Sequence, residues 1–298
     1  MDELIIASRA VHFAAAALLV GAPLFRLAVA PDGLRSDAGG RAVEIAAAVA
    51  ALVSGLGWFA GVAATMAGSF ADAITPDTLQ AVTFDTRFGH LWLARLVLLA
   101  ALMAVQAIAK PSPARDAALL ALAAAFAASL VGVGHGMTGA GHGPEVARIH
   151  MAADVVHLLC AATWIGGLVG LGRLLHRVMI GKETLDVLRE ALRRFSLIGY
   201  WAVALVLITG CINALVMVPG PASLIGSDYG HALLVKLALV AVLVAMAIGN
   251  RVVLTPRIMA AEQPGAVRNL WRSVLVEQGV GLAVLAAAAW LGTIHPVP

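Results

Sequence analysis

Charge is scarce in this chain. Only 12% of its 298 residues are Asp, Glu, Lys or Arg, whereas a soluble domain carries about 25%, so the chain cannot clothe a water-facing surface. Cysteine is scarcer still. The two present, Cys160 and Cys211, fall inside apolar runs. That excludes a disulfide framework and a CxxC redox pair, and leaves each as a small packing residue. No basic cluster interleaves with aromatic residues, and the net charge is only +3, which excludes nucleic acid as a partner. There is no P-loop, GxSxG, HExxH or strand-borne GxGxxG, so nothing points to nucleotide hydrolysis. Any movement of a solute would be passive, gradient-coupled or driven by a partner.

What the chain has in abundance is hydrocarbon. Hydrophobic residues make up 61%, and the mean hydropathy is +0.93. A membrane-spanning helix needs about 20 apolar residues. Runs of that kind occupy 4–28, 43–68, 88–109, 116–135, 150–175, 195–218, 232–254 and 274–293. Charge, Pro or Gly marks each gap, as at Pro31-Asp32-Gly33, Lys110-Pro111-Ser112-Pro113 and Pro219-Gly220-Pro221. The expected fold is all-α: a polytopic helical bundle in a lipid bilayer, with eight transmembrane helices in one domain over 1–298. No fixed-period repeat is evident, although eight spans leave room for a diverged duplication. Ala28-Val29-Ala30 resembles a signal-peptide cleavage site. However, Asp2 and Glu3 replace a basic n-region and the apolar run is long, so the segment is read as a retained first span.

Most of the 20 basic residues fall in the odd connections and their flanking helix ends, including Arg26, Arg41, Arg115, Arg173, Arg177, Arg193, Arg194, Arg251, Arg257, Arg268 and Arg272. The positive-inside rule makes those connections cytoplasmic and both termini extracytoplasmic. The even connections carry Asp72, Asp77, Asp85, Glu145 and Asp228, an acidic outer mouth that would concentrate cations. In the fifth connection, Leu185, Leu188, Leu192 and Phe195 alternate with Arg189, Arg193 and Arg194, a pattern expected of an amphipathic helix in the inner interface.

On this topology eight of nine histidines face outward: His12, His90, His135, His142, His150, His157, His231 and His295. Only His176 lies inside. Imidazole is a proton carrier and a common metal ligand. His150, Asp154 and His157 open the fifth span on one helical face. Asp154 costs on the order of 3 kcal/mol to insert near a bilayer centre, so it needs a partner. Arg9, Arg95 and Lys236 are candidates. His150 and His157 stand about 10 Å apart along the axis, so each would share a site with other helices. His135, Met137 and His142 sit in a Gly-rich turn after the fourth span, a ligand set that suits copper, with thioether favouring Cu(I). His12 lies at a depth similar to that of His157. The expected metal-ligating set is therefore His12, His135, Met137, His142, His150, Asp154 and His157. His90 and His231 neighbour Trp92 and Tyr229 and read as interfacial belt residues. Asn213, Lys236, Asn250 and Glu277 interrupt apolar spans at two depths, either as a route through the bundle or as helix–helix hydrogen bonders.

Trp164-Ile165-Gly166-Gly167-Leu168 after His157, Arg194-Phe195-Ser196, Thr209-Gly210 with Asn213, Tyr229-Gly230 with Lys236, and Asn250-Arg251 before Pro256 resemble the copper resistance protein D family in order and spacing. The resemblance is strongest over 150–256. It implies a bacterial inner-membrane protein that moves copper ions between periplasm and cytoplasm. It also implies a separate periplasmic copper-binding partner of the copper resistance C type, and it marks His150, His157 and Trp164. The expected function is copper transport and homeostasis without catalysis. The alternative is a b-type cytochrome, with haem b held between His12 and His157 and an electron-transfer or Cu(II)-reducing activity.

Overall fold

The structure, a computed structural model, describes residues 2–30, 38–133, 143–260 and 265–295. Among them eight helices are long and apolar enough to cross a membrane: Asp2–Val29, Gly39–Ala67, Arg87–Ile108, Pro113–Val133, Pro144–Met179, Leu185–Met217, Asp228–Met259 and Ala266–Leu291. They are called the first to eighth spans below. Unbroken apolar sequence allows each backbone to satisfy itself in hydrocarbon, and Ser or Thr side chains cap several starts. Thr86, Ser112, Thr184 and Ser227 each accept a backbone N–H of the first turn, as N-cap residues do.

The first span is central, packing against the second, fourth, fifth and eighth. It runs parallel to the fifth, because Gly21 meets Gly166 and, one turn on, Phe25 meets Gly170. Backbones touch at that crossing. A Cβ on Gly21 would collide with the Gly166 main chain, and one on Gly166 with the Ala17 carbonyl, the close approach that small residues permit between membrane helices. Arg9 Nη1 donates to the Gly292 carbonyl at 3.0 Å, which sets the start of the first span beside the end of the eighth. Both ends of the chain therefore lie at one face of the bundle.

Two expectations change. The segment from Leu185 is not a separate interfacial helix but the opening turns of the sixth span. No breaker separates it from that span, and Leu188, Ala191 and Leu192 pack into the core with Leu171 and Leu270 instead of facing lipid. Its exposed side is tied by Arg189–Asp186 at 2.8 Å, Arg193–Glu190 at 2.9 Å and Arg194–Glu190 at 2.7 Å. Arg26 and Arg115, counted above with the inner loops, are buried. Arg26 pairs with Glu44 and, at 2.8 Å, with Asp116. Arg115 lies 3.3 Å from Asp116 and 3.7 Å from Glu44. Four charges thus tie the first, second and fourth spans together.

Candidate metal centre

The fifth span begins at Pro144, just after Gly143 at φ 94°, and carries His150, Asp154 and His157 toward the sixth and seventh spans. His157 Nδ1 lies 3.1 Å from the Val206 carbonyl and 3.1 Å from Thr209 Oγ1. A carbonyl only accepts, so the ring proton sits on Nδ1 and Nε2 keeps its lone pair. Orienting an imidazole through its second nitrogen is how proteins prepare a histidine to ligate a metal. One turn nearer the start of the same helix, Asp154 Oδ1 accepts the Asn213 side-chain amide at 2.5 Å. His150 stands one turn before Asp154 on the same helix, and Lys236 and Tyr229 of the seventh span are the carboxylate's ionisable neighbours.

Two orphaned atoms mark this cluster. His150 is 2% exposed, yet its Nδ1 has no hydrogen-bond partner, and neither does Asn213 Oδ1. Unsatisfied buried polar atoms are rare in native structures and call for an explanation such as an ion or a water. Imidazole nitrogen, carboxylate and amide oxygen together suit a small cation. Among the described residues, no three His, Cys, Asp or Glu side chains enclose a metal ion as they stand. His135, Met137 and His142 lie outside the described residues.

His12 does not join this cluster. It is fully buried and faces the second, third and fourth spans. Its Nδ1 lies 3.1 Å from Ser54 Oγ, and Arg95 Nη2 lies 2.5 Å from its Nε2. Arginine has no acceptor, so Nε2 supplies the lone pair and Nδ1 carries the proton. Neither nitrogen is left for a metal. The rings of Trp58, Trp92 and Phe126 stand 5.8, 5.7 and 5.4 Å from the imidazole. Arg95 lies over Phe126 at 4.3 Å and donates to its carbonyl at 2.9 Å. Depth along a helix was readable from position. The face was not, because an apolar span carries little amphipathic signal. For the same reason Ser54 carries no signal of its own, and the hydroxyl-Gly pair that Ser54-Gly55 shares with Thr209-Gly210 is what marks it. Of the three cations considered for Asp154, Lys236 is the neighbour. Arg9 stacks on Trp58 at 4.8 Å, and Arg95 belongs to His12.

His90 and His231 are surface residues whose Nε2 atoms lie 2.7 and 2.9 Å from the Phe84 and Ile225 carbonyls. His176 lies 6.0 Å from the Trp271 ring. Asn250 and Glu277 sit apart from the cluster at Asp154. They line a cavity of about 450 Å³ between the fifth, sixth, seventh and eighth spans, where Asn250 opens a π-helical turn, Asn250–Leu254.

Comparison with known proteins identifies the family. Residues 1–143 match the family described as copper resistance protein D-like, N-terminal domain. Residues 189–291 match copper resistance protein D. The chain belongs to the copper resistance protein D family. Across 98% of both chains it is 32% identical to the inner membrane protein YebZ of Escherichia coli K12. It is 32% identical to copper resistance protein D of Pseudomonas syringae pv. tomato over 71% of this chain and 70% of that one. It is also 29% identical to the copper transport protein CutJ of Bacillus subtilis over 79% of this chain and 42% of that protein. No solved structure matches it. Membership in this family and the eight spans make the chain a copper-handling, multi-pass protein of the inner membrane.

Proposed function

We propose that the protein carries copper ions across the inner membrane through a site at Asp154 and His157, with His150 at its outer edge. The observation that carries this reading is the His157 ring. Val206 and Thr209 hold its Nδ1 proton, which leaves the Nε2 lone pair free one turn along the same helix from Asp154, the carboxylate that accepts the Asn213 amide. Family membership supplies the identity of the cargo. The arginine and lysine distribution supports extracytoplasmic termini. On that topology His150 faces the periplasm. There a separate copper-binding protein of the copper resistance C type would deliver or receive the ion. On this reading the chain is a transporter, not an enzyme.

The test is Cu(I) uptake by proteoliposomes containing the full chain. Uptake by the wild type that falls to the protein-free level in His157→Ala supports the proposal. Equal uptake by both proteins refutes it. An absorption spectrum of the same preparation separates the haem alternative, since a Soret band would mark haem b. The geometry does not favour a His12–His157 axial pair: the two rings face different helices, and both His12 nitrogens are engaged.

A further inference from the structure

The two histidine clusters share one construction. His12 Nδ1 meets Ser54 Oγ at 3.1 Å, and Ser54 Oγ donates back to the Ala50 carbonyl at 2.5 Å. His157 Nδ1 meets Thr209 Oγ1 at 3.1 Å, and Thr209 Oγ1 donates back to the Leu205 carbonyl at 2.5 Å. Ser54 and Thr209 each precede a glycine on the span after the histidine's own. The third and seventh spans then open alike, with Thr86-Arg87-Phe88-Gly89-His90 and Ser227-Asp228-Tyr229-Gly230-His231.

Thr86 Oγ1 caps Gly89 N at 2.9 Å, and Ser227 Oγ caps Gly230 N at 3.0 Å. A short helix with Pro in its first turn precedes each cap, Pro76–Phe84 and Pro221–Gly226. A Cβ on Gly89 would strike the Val82 and Thr83 carbonyls, and one on Gly230 those of Ser223 and Leu224. The first-turn histidines bind equivalent carbonyls, as described above. Counted from either cap, the same step along the helix reaches Arg95 in one half and Lys236 in the other. Counted back from either ring histidine, the same step reaches Arg9 in one half and Asp154 in the other. The loops between these landmarks differ in length, which hides the repeat from any fixed-period comparison.

We infer that the chain is a duplicated four-span unit, and that Lys236, the counterpart of Arg95, is the displaceable occupant of the cation site at Asp154 and His157. The first copy shows the closed form. Arg95 is fully buried and held by the Phe126 carbonyl, Ser129 Oγ at 2.5 Å and the His12 lone pair. A planar guanidinium locked by several acceptors has no freedom to leave. The second copy differs in two charges. Asp154 replaces Arg9, which makes the site attractive to a cation. Lysine replaces arginine, giving a point charge on a flexible stem. Lys236 holds on the seventh span the register that Arg95 holds on the third, it is the ionisable neighbour of Asp154 and His157, and no hydrogen bond or close ion pair among the described residues holds it. It balances the carboxylate while the site is empty and withdraws when a metal ion takes His157 Nε2. The bundle then never holds two cations or a bare carboxylate there, either of which is costly in hydrocarbon.

This inference rests on Asp154 and His157 as the metal-binding pair, and the experiment separates the two claims. Anaerobic Cu(I) titration against a chromophoric competitor is run on the purified full chain and on His157→Ala, Lys236→Met and Lys236→Arg. Thermal melting confirms that each is assembled, and Lys236→Gln replaces either lysine variant that is not. Lys236→Met removes the competing charge and is expected to tighten Cu(I) binding about tenfold or more. Lys236→Arg is expected to reproduce the first copy and weaken binding about tenfold or more. Wild-type affinity in both lysine variants, with binding lost in His157→Ala, overturns the displaceable lysine and leaves the metal pair standing. Absence of Cu(I) binding in the wild type overturns the metal pair and this inference with it.

Discussion

The side-chain amide of Asn213 donates to Asp154 Oδ1 at 2.5 Å, joining the sixth span to the fifth where the bundle carries its least expected charge. That one contact orients the carboxylate toward His150 and Lys236 and leaves Asn213 Oδ1 unpartnered. It also separates the roles of the two residues, which mutation can read independently.

A hydrogen bond to a charged group contributes about 1.5–3 kcal/mol. Asn213→Ala is expected to lower stability by that order and to weaken copper binding, because the carboxylate loses its orientation. Asp154→Asn keeps a polar side chain of the same size and removes the charge. It is expected to abolish copper binding with a smaller loss of stability. Thermal melting and metal titration on the same samples check both outcomes. Copper binding by Asp154→Asn equal to that of the wild type would show that the carboxylate is structural only.

His12 is expected to behave in the opposite way. His12→Ala removes one of the three acceptors of the buried Arg95 guanidinium and opens a void among Trp58, Trp92 and Phe126. The combined cost is about 3 kcal/mol or more. Copper binding per assembled molecule should stay at the wild-type level. A preparation that melts normally but has lost copper would return His12 to the ligand set.

The inner charge cluster is a third point of leverage. Glu44 is 1% exposed and serves both Arg26 and Arg115. Removing one partner from a buried ion network costs about 3–5 kcal/mol, so Glu44→Gln should lower the melting temperature sharply. Glu190→Gln removes two exposed pairs, to Arg193 and Arg194, which solvent screens, and is the matched control. Equal melting of the two variants would show that the buried network contributes no more than a surface pair.

Helix spacing supplies a fourth prediction. Gly166→Val would drive a branched side chain into the Ala17 carbonyl and Gly21, and overpacking of this kind costs about 1–3 kcal/mol or more. Gly279→Val, on the eighth span with no atom within 4 Å of its Cβ position, should leave assembly unchanged. Size-exclusion profiles of the two variants provide the comparison.

The eight spans and their order were legible in the sequence, because a helix in hydrocarbon is written in consecutive apolar residues and needs no partner to be recognised. The family was legible for a similar reason: short motifs such as Trp164-Ile165-Gly166-Gly167 keep their order along the chain whatever they pack against. His150, Asp154 and His157 could be placed on one face, since helical periodicity alone determines that.

Which helix each face meets was decided by tertiary structure. When lipid and protein interior are equally apolar, the sequence of a span hardly distinguishes its buried side from its exposed one, and small residues such as Gly21 and Gly166 set the crossings. Those crossings turned His12 toward Arg95 and His157 toward the sixth span, and gave Lys236 to Asp154. They also brought two halves with unequal loops into one repeated geometry. Chain order carried the donors. The packing of backbone on backbone decided which of them keeps a free lone pair.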